Sequence, residues 1–216
     1  FAMASRLTDA FAKYRWCPNI IGPQGGGAVE ELPVHVFKSG GADTMKIPTE
    51  VQIGDALDLS LSDLGFMSLS WRKGSDNAAF FAANSAQKPQ YFGTSAKGKQ
   101  AEANFKLATR LPYIFVISRL AHYIKVIQRE AIGKNMSVDK LTRELTDWIN
   151  QYVTVMDNPS DETLATKPLK KAEITVEEVP GEVGWYRVAL KVMPHMKYEG
   201  ADFTLSLVGK LDKKAS

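Results

Sequence analysis

The chain is 216 residues long, 44% hydrophobic and 24% charged, enough for one large domain or two small ones around a packed core. Its formal charge of +3 is too small to imply nucleic acid by itself. The longest apolar run, Leu111 to Ile117, falls short of the roughly 18–20 residues that span a bilayer. The single cysteine, Cys17, excludes an intrachain disulfide and suits a reducing compartment.

Residues 1–15 read as a helix, with Leu7, Phe11 and Tyr14 at helical spacing. Pro18 ends it by restricting the residue before it. The chain opens on Phe1 in mid-helix with no signal peptide, which predicts an upstream part cut away. Cys17 has no CxxC partner and no histidine nearby in sequence, so it reads as a small buried hydrophobe. Ile21 to Gly27 is a glycine-rich loop without the Lys-Ser or Lys-Thr of a phosphate cradle, hence a flexible or tightly turned loop. Leu32 to Phe37 predicts a strand, Ser39 to Asp43 a loop, and Pro48 to Ile53 an extended segment.

Asp55 to Leu64 reads as a short helix with Leu57, Leu61 and Leu64 recurring, stopped by Gly65. Phe66 to Trp71 predicts a buried strand, Lys73 to Asp76 a turn, and Ala78 to Ala83 a packed helix. Gln87 to Gly98 is a polar connection. Gly93-Thr-Ser-Ala-Lys-Gly98-Lys99 fits G-x-x-x-x-G-K. A true P-loop continues with Ser or Thr for Mg²⁺ and follows a buried strand. Here Gln100 follows, and Ser85 to Gln90 is polar, so nucleotide binding is disfavoured.

Gln100 to Thr109 predicts a helix, and Pro112 suits the first turn of the next. That next helix, Leu111 to Ile132, carries the stripe Tyr113, Val116, Ile117, Leu120, Ile124 and Ile127, flanked by Arg119, His122, Lys125 and Arg129. Its first half is apolar all round, which predicts deep burial, and Gly133 is its expected cap. Ser137 is a good N-cap for a helix that buries Leu141, Leu145, Trp148, Ile149 and Tyr152. Asp157 to Ser160 ends that helix, and Thr163 to Lys171 reads as a basic link.

Ala172 to Leu211 reads as three strands. Ala172, Ile174 and Val176 alternate with Glu173, Thr175 and Glu177, the period of a half-buried strand. Pro180-Gly-Glu182 is turn chemistry. From Trp185 to Met193, Tyr186, Val188, Leu190 and Val192 share one face, and Arg187 and Lys191 the other. Pro194 to Gly200 connects to Phe203, Leu205 and Leu207 on one face of the third strand. Open strand edges invite pairing with another chain. Pattern alone leaves two readings, a meander that closes its own domain or a sheet completed by other subunits. The histidines, His35, His122 and His195, are far apart in sequence, and no HExxH, GxSxG or paired-cysteine motif occurs. The expectation is therefore a protein with no catalytic, metal or cofactor site. The fold class is α/β in the broad sense, an α+β arrangement with a mixed sheet and packed helices.

Several runs then resemble one family in order. Arg110-Leu-Pro-Tyr-Ile-Phe115, Arg119 to Ile127, Leu145-Thr-Asp-Trp-Ile-Asn-Gln-Tyr-Val153, Pro168 to Val176, Gly184-Trp-Tyr-Arg187 and Pro194 to Leu205 resemble the large subunit of the type VI secretion contractile sheath. Upstream, Pro48-Thr-Glu50, Leu64-Gly-Phe66 and Asp76 to Phe81 are similar as well. The family's subunits are about twice this length. The resemblance implies a cytoplasmic, phage tail sheath-like structural subunit that is not an enzyme. Its implied partners are a small sheath subunit, further copies of itself in a helical polymer, an inner tube, a baseplate and an ATP-driven unfoldase, with no nucleic acid and no membrane insertion. The unfoldase's grip is expected in the missing part. The resemblance implies a body over residues 1–171 and a linking region over 172–216. The strands of the latter join neighbouring subunits through Ile174, Val176, Trp185, Tyr186, Val188, Leu190, Val192, Phe203, Leu205 and Leu207. The runner-up is a phage or pyocin-like sheath. The rival of a different class is a cytosolic NTPase using Gly93 to Lys99.

Overall fold

A computed structural model describes residues 1–88, 90–131, 136–156, 158–180, 186–195 and, by backbone alone, 205–210. The chain divides into two compact units, Phe1–Phe115 and Val116–Ser216. Both mix helices with small antiparallel sheets, so the α+β class holds.

The first unit begins with α1 (Ala2–Tyr14), ended by Arg15 in the left-handed region at φ 61°. Ala10 on α1 packs with Ile20 and Ala83, and Met3, Leu7, Cys17, Ile21 and Leu111 pack around them. Phe11 lies exposed, outside this cluster. The Gly22–Gly27 segment is tightly turned. The Gly27 amide donates to the Gly22 carbonyl at 2.9 Å, the Gly22 amide to Phe80 O at 2.7 Å, and the Phe80 amide to Gly27 O at 2.9 Å. Backbone carbonyls take these amides, so they do not form a phosphate cradle.

Strands β1 (Ala28–Val29), β4 (Ser70–Trp71) and β5 (Ala78–Ala79) form a sheet in the order β1-β5-β4. This corrects two expectations. Ala78 to Ala83 is packed but not helical: Ala78, Ala79 and Ala83 are fully buried, and Ala78 and Ala79 pair on both edges. Alanine's helix propensity of a few tenths of a kcal/mol per residue yields to that pairing. Phe66 to Trp71 is a strand only at Ser70–Trp71, while Phe66 and Met67 are exposed. Between them lies a hairpin, β2 (Val36–Ser39) with β3 (Ala42–Met45), turning at Gly40–Gly41. The expected strand from Leu32 starts only at Val36, and the expected loop Ser39 to Asp43 takes in the end of β2 and the start of β3. Its first strand is exposed throughout, so no amphipathic alternation marks it. Residues 48–53 belong to no strand. Helix α2 (Asp55–Asp63) and helix α3 (Ala96–Ala108) follow, and Ser95 caps the second of these by accepting from the Gly98 amide.

Helix α4 (Leu111–Ala131) spans the division between the units. Tyr113, Val116, Leu120 and Ile124 are buried, but Phe115 is exposed. The all-round burial expected for its first half is therefore confined to one face. In the second unit, α5 (Val138–Asn150) starts at the Ser137 cap and buries Leu141, Leu145 and Ile149. The expected basic link from Thr163 begins inside a helix, α6 (Asp161–Thr166), capped by Ser160 with Asp161 and Glu162 in its first turn. A cap followed by two acids is the sequence sign of that helix start. The strands β6 (Leu169–Glu178), β7 (Tyr186–Pro194) and β8 (Leu205–Lys210) form an antiparallel sheet with β7 in the middle. Helix α5 packs against β6. The Gly133 cap, Asp157, the Gly181–Glu182 turn, Trp185, residues 196–204 and Leu211 lie outside the described residues.

Candidate assembly surface

The strand residues fall into rows. In β7, Val192 lies between Ala172 of β6 and Leu205 of β8, Leu190 between Ile174 and Leu207, and Val188 between Val176 and Gly209. Val188, Leu190, Val192 and Val176 are buried, and Ile174 and Tyr186 are half-buried. The apolar face anticipated from period two is thus a real core face. Tyr186 anchors one end, its hydroxyl donating to Met136 O. Gln128 is buried and donates to Tyr186 O at 3.5 Å. The other face is charged. Glu173 stands opposite Lys191, and Glu177 opposite Arg187, cross-strand pairs that support the register. For Leu205 and Leu207 the backbone register alone is described. The candidates Trp185 and Phe203 fall outside the described residues.

The three strands pair with one another in one chain, which leaves β6 and β8 as edges. Part of the β6 edge is occupied. Leu169 donates to Tyr152 O at 3.2 Å and accepts from the Thr154 amide at 2.9 Å, as Val153 pairs with it in parallel. Beyond Leu169 no strand covers that edge among the described residues. The edge strand carries Lys170, Lys171, Glu173, Glu177 and Glu178, all exposed. Charges of this kind discourage indiscriminate pairing while leaving room for a matched partner.

The G-x-x-x-x-G-K segment does different work. Gly98 is buried in the first turn of α3, and its amide donates to Ser95 Oγ at 3.0 Å. A Cβ at Gly98 would lie 2.5 Å from Phe92 O and 2.7 Å from Gly93 O. The glycine is needed because carbonyl oxygens crowd it, whereas a phosphate requires N–H groups there. Lys99→Ala is expected to leave nucleotide affinity unchanged and folding intact. Calorimetric titration with ATP checks this, and micromolar binding abolished by the substitution would contradict it.

The structure assembles two groups that the sequence pattern did not mark. One is a side-chain ladder in the second unit. The Arg119 guanidinium sits 5.7 Å from the Tyr123 ring centre, Tyr123 6.1 Å from Trp148, and Trp148 5.5 Å from Tyr152. Trp148 and Tyr152 belong to the predicted α5 stripe. Tyr123 does not, and only the packing of α4 on α5 brings it in. The other group holds α2 by polar contacts. The Asp58 carboxylate accepts from Ser68 and, at 3.4 Å, from Ser70. Four residues on, buried Ser62 receives both the Asn84 amide bonds, at 2.7 Å to its carbonyl and 2.8 Å to its hydroxyl.

Burial pushes the Asp58 carboxyl above its ordinary value, the Ser70 hydroxyl opposes this, and Asp55 adds to it. A carboxyl raised in the folded state binds more protons folded than unfolded. Its contribution is therefore lost as pH rises from about 3.8 through its folded value. Asp58→Asn removes that loss. Wild-type stability is expected to fall relative to the variant as pH rises above about 3.8, read from urea melts, and parallel pH profiles would contradict the assignment. Burial likewise pushes the Tyr113 hydroxyl up, against the lowering influence of Arg110.

Among the described residues no group of three or more His, Cys, Asp or Glu side chains could hold a metal. No described helix is long and apolar enough to cross a membrane. Cys17 is half-buried, its thiol 3.8 Å from Leu7 O.

Comparison with known proteins gives a consistent picture along the chain. Residues 1–87 match the EvpB/VC_A0108 tail sheath N-terminal domain, and residues 100–211 match the EvpB/VC_A0108 tail sheath gpW/gp25-like domain. The type VI secretion system sheath protein TssC1 of Pseudomonas aeruginosa is 43% identical over 216 residues, covering 98% of this chain. The chain spans 42% of that relative's length. With both tail sheath domains matched in sequence order, the chain belongs to the EvpB/VC_A0108 tail sheath family.

Proposed function

We propose that the chain is the C-terminal portion of a structural subunit of a type VI secretion contractile sheath, working in the cytoplasm. The observation that carries this is 43% identity to a sheath protein over 98% of the chain. The subunit assembles with a small sheath subunit and further copies of itself into a helical tube around an inner tube anchored on a baseplate. It contracts to drive that inner tube outward, and an ATP-driven unfoldase recycles it. It performs no catalysis of its own.

In this reading residues 1–171 form the body and 172–216 the linking region. The β6 edge beyond Leu169, which no strand covers among the described residues, supports it, since an added strand gains a row of backbone hydrogen bonds worth roughly 0.5–1.5 kcal/mol each. Such a sheet holds neighbours together while the bodies repack between two arrangements. The test is co-expression of the sheath subunit containing this chain with the small subunit, followed by ultracentrifugation and electron microscopy of the pellet. Tubules containing both proteins are expected. A subunit that stays soluble and alone overturns the proposal.

A further inference from the structure

The apolar rows of the C-terminal sheet do not by themselves fix its register. At alternate positions β6 carries Ala172, Ile174 and Val176, and β7 sets Val192, Leu190 and Val188 against them. A slip of one residue would turn every side chain to the wrong face. A slip of two would not, because side-chain direction repeats every two residues. It would set Val176 against Leu190 or Tyr186, and Ile174 against Val192 or Val188, still apolar on apolar. Among the described residues β8 pairs only with β7, so it would move with that strand.

Two features of the ladder oppose such a slip only weakly. It would separate Glu173 from Lys191 and Glu177 from Arg187. All four are exposed, and exposed opposite charges contribute little. At the far end Leu169 pairs with Pro194, but a bulge separates that pair from the run beginning at Lys171. A bulge sets two residues of one strand against one of the other, so that end does not by itself fix the ladder beyond it.

Contacts on the helix side are more selective. Gln128 of α4 is 1% exposed and donates from Nε2 to Tyr186 O at 3.5 Å. The Tyr186 hydroxyl donates to the carbonyl of buried Met136, just ahead of α5. The two bonds differ in what they recognise. Gln128 meets a main-chain carbonyl, and a slip of two residues brings another carbonyl to the same place. The Met136 carbonyl meets a side-chain hydroxyl, and a slipped strand offers only Val188 or Gly184 there, whose side chains hold no donor. A buried carbonyl that loses its donor is left with an uncompensated desolvation cost.

We propose that Tyr186 is the register lock of the C-terminal sheet. Its hydroxyl on Met136 O selects one of the pairings of β7 with β6 that the aliphatic rows leave open. Gln128 holds the strand to α4 in any of them. The lock acts within one chain, independently of the sheath reading.

Paired cysteines read the register. Cys17, the one native cysteine, is first replaced by Cys17→Ala in the 216-residue chain. Thr175→Cys is then combined with Ala189→Cys, its native partner position, or with Arg187→Cys or Lys191→Cys, its partner positions after a slip of two either way. Directly opposed positions come within disulfide reach, whereas diagonal ones, at about 7–8 Å, do not. Oxidation in a thiol buffer, followed by mass spectrometry, gives the rate of each cross-link. With Tyr186 in place the native pair should close at least about tenfold faster than either slipped pair. Tyr186→Phe keeps the ring, removes the hydroxyl, and should raise the slipped-to-native ratio by roughly fivefold to tenfold. Each comparison is made within one cysteine pair, so the charges lost at Arg187 and Lys191 cancel. Gln128→Leu should leave the ratio unchanged, since its bond does not distinguish registers. An unchanged ratio in Tyr186→Phe, or one shifted as far by Gln128→Leu, overturns the lock. So do three cross-links that all speed up alike in Tyr186→Phe, because that pattern is unfolding rather than slippage.

Discussion

Val188→Pro should unfold the second unit while the first keeps its melting transition. Val188 is buried in the central strand β7, opposite Val176 on one side and Gly209 on the other. Proline lacks the N–H that a central strand spends on one neighbour or the other. In a helix interior such a change costs about 3 kcal/mol or more, and a two-sided strand offers no easier escape. The buried side-chain row Val176–Val188 is lost with it. The measurement is hydrogen exchange by residue: protection should vanish across Tyr186–Pro194 and along α5, which packs on β6. Wild-type protection in those segments would mean that the three strands do not depend on one another. Assembly should fail in the same variant, as a consequence of the unfolded unit. A sheet formed only between subunits would instead lose tubules with the isolated chain untouched, so the paired readout separates the two origins.

Gly26→Val should be nearly as damaging to the first unit. Gly26 has φ 91°, a region costly for any residue with a Cβ and worst for a branched one. An added Cβ would also lie 2.4 Å from Asn19 O. Backbone strain of about 1–3 kcal/mol combines with a clash that only movement of the main chain relieves. Gly74→Ala is the control. Its φ is 78°, but no atom lies within 4 Å of the added Cβ, so only the strain remains, about 1 kcal/mol. For a unit of this size about 1 kcal/mol shifts Tm by roughly 3–6 °C. Gly26→Val should therefore lower the first transition several times further than Gly74→Ala, and equal shifts would show that the crowded loop adjusts freely.

Much of the second unit follows from local pattern. The leucines and Ile149 of α5 recur at helical spacing, and α5 buries them. Period two over Ala172–Val176 and Tyr186–Val192 puts the right residues on the buried faces of β6 and β7. Ser95, Ser137 and Ser160 all cap helices, although only Ser137 precedes a long apolar stripe. Long periodic elements read well because burial of one face drives their formation and the same pattern repeats over many residues.

The first unit is less legible, for a physical reason. Its strands β1, β4 and β5 are two residues long, too short for any period to register. What makes Ala78 and Ala79 a strand is pairing with Ala28–Val29, distant in sequence, and with Ser70–Trp71 across a turn. Leu57, Leu61 and Leu64 recur along α2, yet only Leu61 is half-buried, and hydrogen bonds from Ser68, Ser70 and Asn84 hold Asp58 and Ser62 inward. Pattern can say that a face is apolar but not which partner covers it. By itself, then, the sequence determined the long helices, the three C-terminal strands and the sheath family resemblance. Only tertiary structure decided that those strands pair within one chain, that carbonyl crowding requires a glycine at position 98, and that α2 turns Asp58 and Ser62 inward, because each depends on contacts between residues that no local period connects.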